Sequence, residues 1–370
     1  MRTEHILIMR FSAMGDVAMT VPVVYVLARQ YPHVRITMLS RPFARPFFEH
    51  MPHNVSFMEA DVKREYDGIK GLNALYRRLM AKNFTAVADL HSVLRSDYLR
   101  MRFNIDRFRV EHIDKHREGR RQLVKKENKK LVQQPTAFEN YADVFRRLGY
   151  PIELEGFKSI FGDAGSDQSL LPDNLHRHTD STEPWIGIAP FAAFPSKVYF
   201  PRLMERAIEM IEQMRPGCRI LFFGGGKEET ETFARWCYGH PNRTDASGQL
   251  HSLRLELILM NRLDVMVSMD SSNMHLASIA GTPVVSIWGG THPYAGFMGW
   301  GQSPDNAIQV DMPCRPCSIF GNKECQFADR RCLRLIHPGQ VAEKVDAILA
   351  KKYGATKHPL PHADAAGNAV

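Results

Sequence analysis

Along the first half of the chain, the apolar runs ILIMR (6–10), RITMLS (35–40) and FTAVADL (84–90) are too short for helices and read as buried strands. Segments of helical length separate them, over 17–30 and 71–82. The same grammar returns in the second half, where WIGIAPF (185–191), RILFFGG (219–225), LDVMVSMD (263–270) and PVVSIWG (283–289) read as strands. Helices are expected between and after them at 201–214, 228–238, 250–261 and 272–280. Strands that alternate with helices build a parallel sheet through crossover connections. The pattern therefore predicts an α/β protein with two doubly wound sheets in tandem.

The segment 162–184, GDAGSDQSLLPDNLHRHTDSTEP, has the Gly, Ser, Asp and Pro content of a connector. The expected organisation is a first domain over 1–165, a linker over 166–184, a second domain over 185–350 and a disordered tail over 351–370. A chain of 370 residues suits two such domains, and 44% hydrophobic with 24% charged residues is the composition of a soluble globular protein. No apolar run approaches the roughly 18 residues that cross a bilayer, and the N-terminal run is interrupted by Arg10 and Asp16. This predicts a cytoplasmic protein. A net charge of +8 favours anionic partners without choosing among nucleic acid, phosphorylated substrates and an acidic membrane.

In open α/β sheets, ligands sit beyond the carboxyl ends of the strands, so the turns there are where chemistry is sought. The first strand leads through Ser12 and Gly15 to Asp16 at the start of a helix. As an isolated residue, Asp16 reads first as a helix cap. In APFAAFPSKVYFP, Lys197 follows a strand and precedes Pro201, which suits the first helical position, so it offers a cation to a phosphate. The glycines of FFGGGKEE, Gly224 and Gly225 among them, permit close approach of a nucleotide, with Glu228 or Glu229 in reach of its ribose or base. In MDSSNMHLASIAGTPVVSIWGGTHP, Asp270 closes a strand and Ser271 and Ser272 lead into a helix carrying His275, whose free N–H groups suit an anion.

The pairing of RFSAMGDVAMTVPVV with MDSSNMHLASIAGTPVVSIWGGTHP, together with VADLHSVLRS and PSKVYFP, resembles glycosyltransferase family 9, the ADP-heptose:lipopolysaccharide heptosyltransferases. The likeness runs from about residue 5 to residue 345. It implies a GT-B type fold, two Rossmann-like doubly wound domains facing across a cleft, with the acceptor held by the first and the sugar nucleotide by the second. It implies Asp16 as general base and Lys197 on the diphosphate. On the donor side it adds Ala192, Asp270, Ser271, Ser272 and His275 to Gly224, Gly225 and Glu228; on the acceptor side it marks Ser12, Gly15, Asp89, His91 and Arg95, and Arg120 in the basic stretch 100–130 is a further acceptor-side candidate. Ser272 stands where many members have Gly, and His91 where many have Gln.

The implied reaction is an inverting transfer of a sugar, with heptose from ADP-heptose the leading donor, onto a lipopolysaccharide core or related glycolipid. The base takes the acceptor's proton, while Lys197 and helix N–H groups meet the charge of the departing diphosphate. Neither domain carries an Asp-x-Asp pair in a strand-end loop, so neither a catalytic metal nor a cofactor is expected. The alternatives are a non-catalytic relative that binds glycolipid or nucleotide sugar, and a member using another nucleotide sugar. A dinucleotide oxidoreductase would need Gly-x-Gly-x-x-Gly after the first strand, which FSAMGD does not supply, and the strand motifs of common RNA modules are missing, so nucleic acid is not an expected partner. Two features remain. The basic stretch 100–130 reads either as a solvated face or as a dock for the acceptor or the inner leaflet, which would make the protein peripheral at the inner face of the cytoplasmic membrane. Cys314, Cys317, Cys325 and Cys332, spaced C-x2-C-x7-C-x6-C, read either as a structural metal site or as reduced or locally paired cysteines packing a loop.

Overall fold

In the computed structural model, which describes residues 4–178, 180–358 and 360, every strand lies in one of two parallel sheets. The first contains β1 (His5–Met9), β2 (Arg35–Ser40), β3 (Val55–Glu59), β4 (Ala86–Asp89) and β5 (Arg109–His112), in the order β3-β2-β1-β4-β5. The second contains β6 (Trp185–Ala189), β7 (Arg219–Phe222), β8 (Arg243–Asp245), β9 (Val265–Met269), β10 (Val284–Ile287) and β11 (Ala307–Ile308), in the order β11-β10-β9-β6-β7-β8. In register, Ile6 faces Ile36 on one side and Ala86 on the other, and Ile186 faces Ile220 and Val265. The chain order reverses beside β1 in the first sheet and beside β6 in the second. Ligands of doubly wound sheets bind at such switch points. The loops that matter are therefore those after β1 and β4, and those after β6 and β9.

Twelve α-helices cross over between the described strands or flank them: α1 (Met14–Ala18), α2 (Thr20–Gln30), α3 (Gly68–Met80), α4 (Leu94–Ile105), α5 (Arg117–Leu123), α6 (Ala137–Arg147), α7 (Pro201–Met214), α8 (Lys227–Cys237), α9 (Leu253–Met260), α10 (Ser272–Ile279), α11 (Arg331–Arg334) and α12 (Pro338–Tyr353). The single helix expected over 17–30 is two, parted at Met19, which lets the first turn around Asp16 take its own direction. Helix α6 opens with Thr136 and Glu139 capping each other, the Glu139 N–H donating to Thr136 Oγ1 at 3.2 Å and the Thr136 N–H to Glu139 Oε2 at 2.6 Å. Strands β1, β6 and β9 are buried along their whole length, as strands covered by helices on both faces must be.

The chain divides into two compact units that do not follow sequence order. One runs through His116 and takes Pro135–Ala164; the other is Arg117–Gln134 with everything from Gly165 onward. The stretch expected as a linker packs on the second unit: the Ser166 N–H donates to Asn261 Oδ1 at 2.8 Å, its hydroxyl donates to the Ile258 carbonyl at 3.1 Å, and Arg177 pairs with Asp264 at 2.7 Å. Helix α12 occupies the start of the expected tail as far as Tyr353, and residues 361–370 lie outside the described residues. Among the described residues no helix is long and apolar enough to cross a membrane.

Candidate functional site

In the first unit, the turn after β1 is built around a buried arginine. Arg10 stands just beyond β1, donating through Nε to the Ser12 carbonyl (2.9 Å), through Nη1 to the Leu90 carbonyl (2.6 Å) and through Nη2 to Asp16 Oδ2 (2.9 Å). Burial opposes the charge on this guanidinium, yet Tyr141 and Asp16 outweigh it and hold its pKa above the usual value. The same Oδ2 of Asp16 accepts the Ala13 N–H at 3.0 Å, and the Tyr141 hydroxyl donates to the Asp16 carbonyl at 3.3 Å. Asp16 is thus a helix cap, as its residue type suggests, and also half of an ion pair that fixes its orientation. Its side chain keeps 32% of its surface exposed against 9% for Arg10, so the carboxylate can be reached from solvent while its partner cannot.

The loop after β4 lies beside this turn. Asp89 is fully buried, and its Oδ1 accepts the N–H groups of His91 and Ser92, both at 2.9 Å, while Oδ2 meets Arg100 at 3.3 Å. Its carboxylate shapes the loop. What the loop presents is His91, whose Nε2 lies 3.4 Å from Ser12 Oγ and whose buried Nδ1 has no hydrogen-bond partner among the described residues. Burial, with Arg10 nearby, drops the imidazole pKa to about 3, so His91 is neutral at any physiological pH. Four of the six acceptor-side residues, Ser12, Gly15, Asp89 and His91, gather at these two strand ends, Gly15 in the first turn of α1 and Asp89 as the last residue of β4. Arg95 stands apart on α4, exposed and paired with Asp67 at 3.4 Å. Arg120 belongs to the second unit, with its guanidinium 4.7 Å from the centre of the Phe297 ring.

In the second unit, the loops after β6 and β9 bring together two residues 73 positions apart. Lys197 Nζ and Asp270 Oδ2 form an ion pair at 2.9 Å, with side chains 15% and 7% exposed, and the Thr291 hydroxyl donates to the same oxygen at 2.8 Å. Lys197 is held from above by Gly321, where a Cβ would lie 2.4 Å from the lysine Cδ. Ser196 completes the lock, its hydroxyl donating to the Gly321 carbonyl at 2.6 Å and its carbonyl accepting the Gly290 N–H at 2.9 Å. Ser271 and Ser272 open α10 directly after Asp270, Ser271 Oγ lying 3.3 Å from Ser268 Oγ, and His275 is buried one turn further on. A rigid cation beside a helix N-terminus can receive an anionic group.

Residues 72–327 match the family model for glycosyltransferase family 9 (heptosyltransferase), more than half of the chain. The chain belongs to glycosyltransferase family 9. This family 9 enzyme is 23% identical over 305 residues to the lipopolysaccharide core heptosyltransferase OpsX of Haemophilus influenzae, covering 78% of this chain and 80% of that one. Its fold is similar to a family 9 glycosyl transferase from Veillonella parvula, with TM-score 0.68, 19% identity and 95% and 99% of the two chains covered. It is similar also to E. coli ADP-heptose lps heptosyltransferase II, with TM-score 0.65, 18% identity and coverage of 94% and 99%. The two doubly wound units are of the GT-B type.

The glycine-rich turn of this glycosyltransferase is closed by its own helix. Glu229 Oε2 accepts the Gly225 N–H at 2.8 Å, and burial together with Glu228 raises the Glu229 pKa above the usual carboxylate value. Any side chain at Gly224 would strike that carboxylate, whereas Glu228 points into solvent at the rim. Ala192 lies in the loop after β6, partly buried against the second unit's core. Arg10, Thr291, Ser196 and Gly321 were not singled out by motif reading. Of these, Arg10 had a signal: an arginine ending a wholly apolar run is a buried charge, and a buried charge needs a partner.

Cys314, Cys317, Cys325 and Cys332 line one cavity of about 420 Å³ in the second unit, all four as free cysteines. Burial raises the Cys317 thiol pKa and pushes that of Cys332 up to about 11. Among the described residues no three His, Cys, Asp or Glu side chains are gathered so as to hold a metal ion. The basic stretch 100–130 is not one face. Arg100, Arg102 and Arg109 are engaged within the first unit, by Asp89 and Asp97, by Asn73, and by Tyr150 with Glu4, while residues 117–130 belong to the second.

Proposed function

We propose that the protein is an inverting heptosyltransferase that moves heptose from an ADP-linked donor to a hydroxyl of the lipopolysaccharide core or a related glycolipid, at the inner face of the cytoplasmic membrane. The observation that carries the reading is the Arg10–Asp16 pair at the switch point of the first sheet: an accessible carboxylate held in one orientation by a buried cation. Asp16 takes the proton of the acceptor hydroxyl as its oxygen attacks the anomeric carbon on the face opposite the diphosphate. The bond from that carbon to the phosphate oxygen breaks, and the electron pair leaves with ADP. In the second unit, Lys197 keeps one N–H on Asp270 and has two more for the phosphate oxygens, joined by the N–H groups that open α10. The names of the relatives support the choice of substrates, since one is an ADP-heptose lps heptosyltransferase and another acts on the lipopolysaccharide core. No cofactor enters this reading.

The test is to incubate the full chain with ADP-heptose and a heptose-free lipopolysaccharide core, measuring ADP release and the anomeric configuration of the product. Release that depends on the acceptor, with inverted configuration, is the expected result. Turnover of another nucleotide sugar in preference to ADP-heptose, or tight ADP-heptose binding with no transfer to any glycolipid, would refute it.

A further inference from the structure

The chain's net charge is concentrated in one place. Residues 117–134 and 312–335 together hold twelve Lys and Arg against four Asp and Glu, a net +8 that equals the formal net charge of all 370 residues. The two segments are distant in sequence and joined in the second unit. Lys129 Nζ donates to the carbonyls of Pro313 at 3.1 Å and Pro316 at 3.0 Å. Arg120 stacks on Phe297, whose ring centre is 5.8 Å from that of Phe320.

Some of these cations serve the fold. Buried Arg315 donates to the carbonyls of Trp288, Gly289, Val310 and Thr291, and Arg331 and Arg334 pair with Asp329. Lys125, Lys126, Lys130 and Lys323 are exposed instead. Lys125, Lys126, Lys323 and Phe327 line one cavity, and beside them in the two segments stand Leu131, Val132 and Phe320; the four apolar side chains are between 42% and 60% exposed. Contact with water alone gives such side chains no reason to cluster with lysines. A nucleic acid would use the cations and the two phenylalanines but has no use for Leu131 and Val132. A bilayer interface uses both classes, the cations against headgroup phosphates and the apolar tips at the acyl boundary.

We infer that this composite face of the second unit is a docking surface for an anionic phospholipid membrane. The inference deepens the proposed function, because a membrane-borne acceptor requires the enzyme at the bilayer, and its test needs no turnover. Binding of the full chain is measured by co-sedimentation with phosphatidylglycerol-containing vesicles and with pure phosphatidylcholine vesicles, at low and high salt. The variants are Lys125→Glu/Lys126→Glu/Lys130→Glu/Lys323→Glu, the same four positions changed to Gln, and Leu131→Ser/Val132→Ser. ADP affinity, unchanged in all three, shows that the second unit is folded.

Wild type is expected to bind the anionic vesicles, more weakly as salt rises, and to leave the neutral ones in suspension. Charge reversal lowers partitioning at least about a hundredfold and neutralisation by somewhat less. The Ser variant loses roughly tenfold at every salt concentration. Equal binding to neutral vesicles, unchanged binding of both lysine variants, or RNA binding tighter than vesicle binding and indifferent to the Ser variant would each overturn the inference. The expected vesicle pattern with no transfer from ADP-heptose would uphold the docking surface and sink the proposed reaction.

Discussion

Lys197 and Asp270 can be tested as a unit by a double-mutant cycle. Both charges are largely removed from water, 15% and 7% exposed, and meet at 2.9 Å. Removing one partner of such a pair leaves an uncompensated buried charge, which costs about 3–5 kcal/mol. Lys197→Met leaves Asp270 with the Thr291 hydroxyl as its remaining described donor, and Asp270→Asn leaves the ammonium facing a neutral amide. Each single change is expected to lose about 3 kcal/mol of unfolding free energy, at the lower end because Thr291 softens the first and residual exposure the second. The double variant has no stranded charge and should lose less than either single variant, so the coupling exceeds about 3 kcal/mol. Urea denaturation followed by tryptophan fluorescence measures the cycle, and repeating it with ADP separates structure from function. ADP at a hundred times its dissociation constant stabilises wild type by about 2.7 kcal/mol, and Lys197→Met should lose most of that gain. Single-variant losses that add to within about 0.5 kcal/mol, or full stabilisation of Lys197→Met by the same ADP concentration, would refute the reasoning.

Further expectations concern the proposed base, the neutral histidine, the glycine over Lys197 and the need for a metal ion. Asp16→Asn keeps the shape and the cap but loses the proton acceptor, so steady-state turnover should fall at least about a hundredfold while ADP affinity by calorimetry holds. His91 has a folded pKa of about 3 against an ordinary 6.5, so the unfolded chain takes up its proton first and stability is lost as pH falls below 6.5 towards 3. Between pH 7 and pH 5 wild type should therefore lose about 2 kcal/mol more than His91→Gln in matched denaturant titrations. Gly321→Ala meets both a φ of +83° and the Lys197 side chain, so ADP binding should weaken along with a stability loss of roughly 1–2 kcal/mol; unchanged ADP affinity would show that Lys197 moves aside freely. Treatment with a chelator should leave turnover unchanged, because in the proposed reaction the diphosphate is met by Lys197 and helix N–H groups rather than by a metal; activity lost to chelation and restored by a divalent ion would contradict this.

The strands that carry the site were legible because they are buried on both faces and read as unbroken apolar runs. Strand β3 was missed because it alternates and is half exposed, and β5 because RVEH contains two charges and a histidine on a sheet edge. Helix α6 could have been read from Thr136 and Glu139, which form the reciprocal cap that precedes an apolar face. Lys197 and Asp270 were each legible as strand-end residues, but their pairing depends on β6 lying beside β9, which sequence order conceals. The role of Gly321 was illegible for a different reason: a glycine in an irregular loop carries no periodic signal, and only the lysine packed against it shows why a side chain is excluded. The stretch 100–130 looked continuous because charge is additive along a sequence, whereas its two parts fold into different units.

The assignment of Arg117–Gln134 to the second unit has a consequence for recombination among relatives. The chain passes between units at 116/117, 134/135 and 164/165, so no single crossover point separates them. A chimaera joined near residue 165 would carry a foreign strap against the native cavity, placing unmatched residues where Lys129 grips the Pro313 and Pro316 carbonyls and where the Gln134 N–H meets the Tyr294 carbonyl at 2.9 Å. Grafting the second unit between relatives therefore requires two inserts, 117–134 and the chain from 165 onward, moved as one inheritable pair.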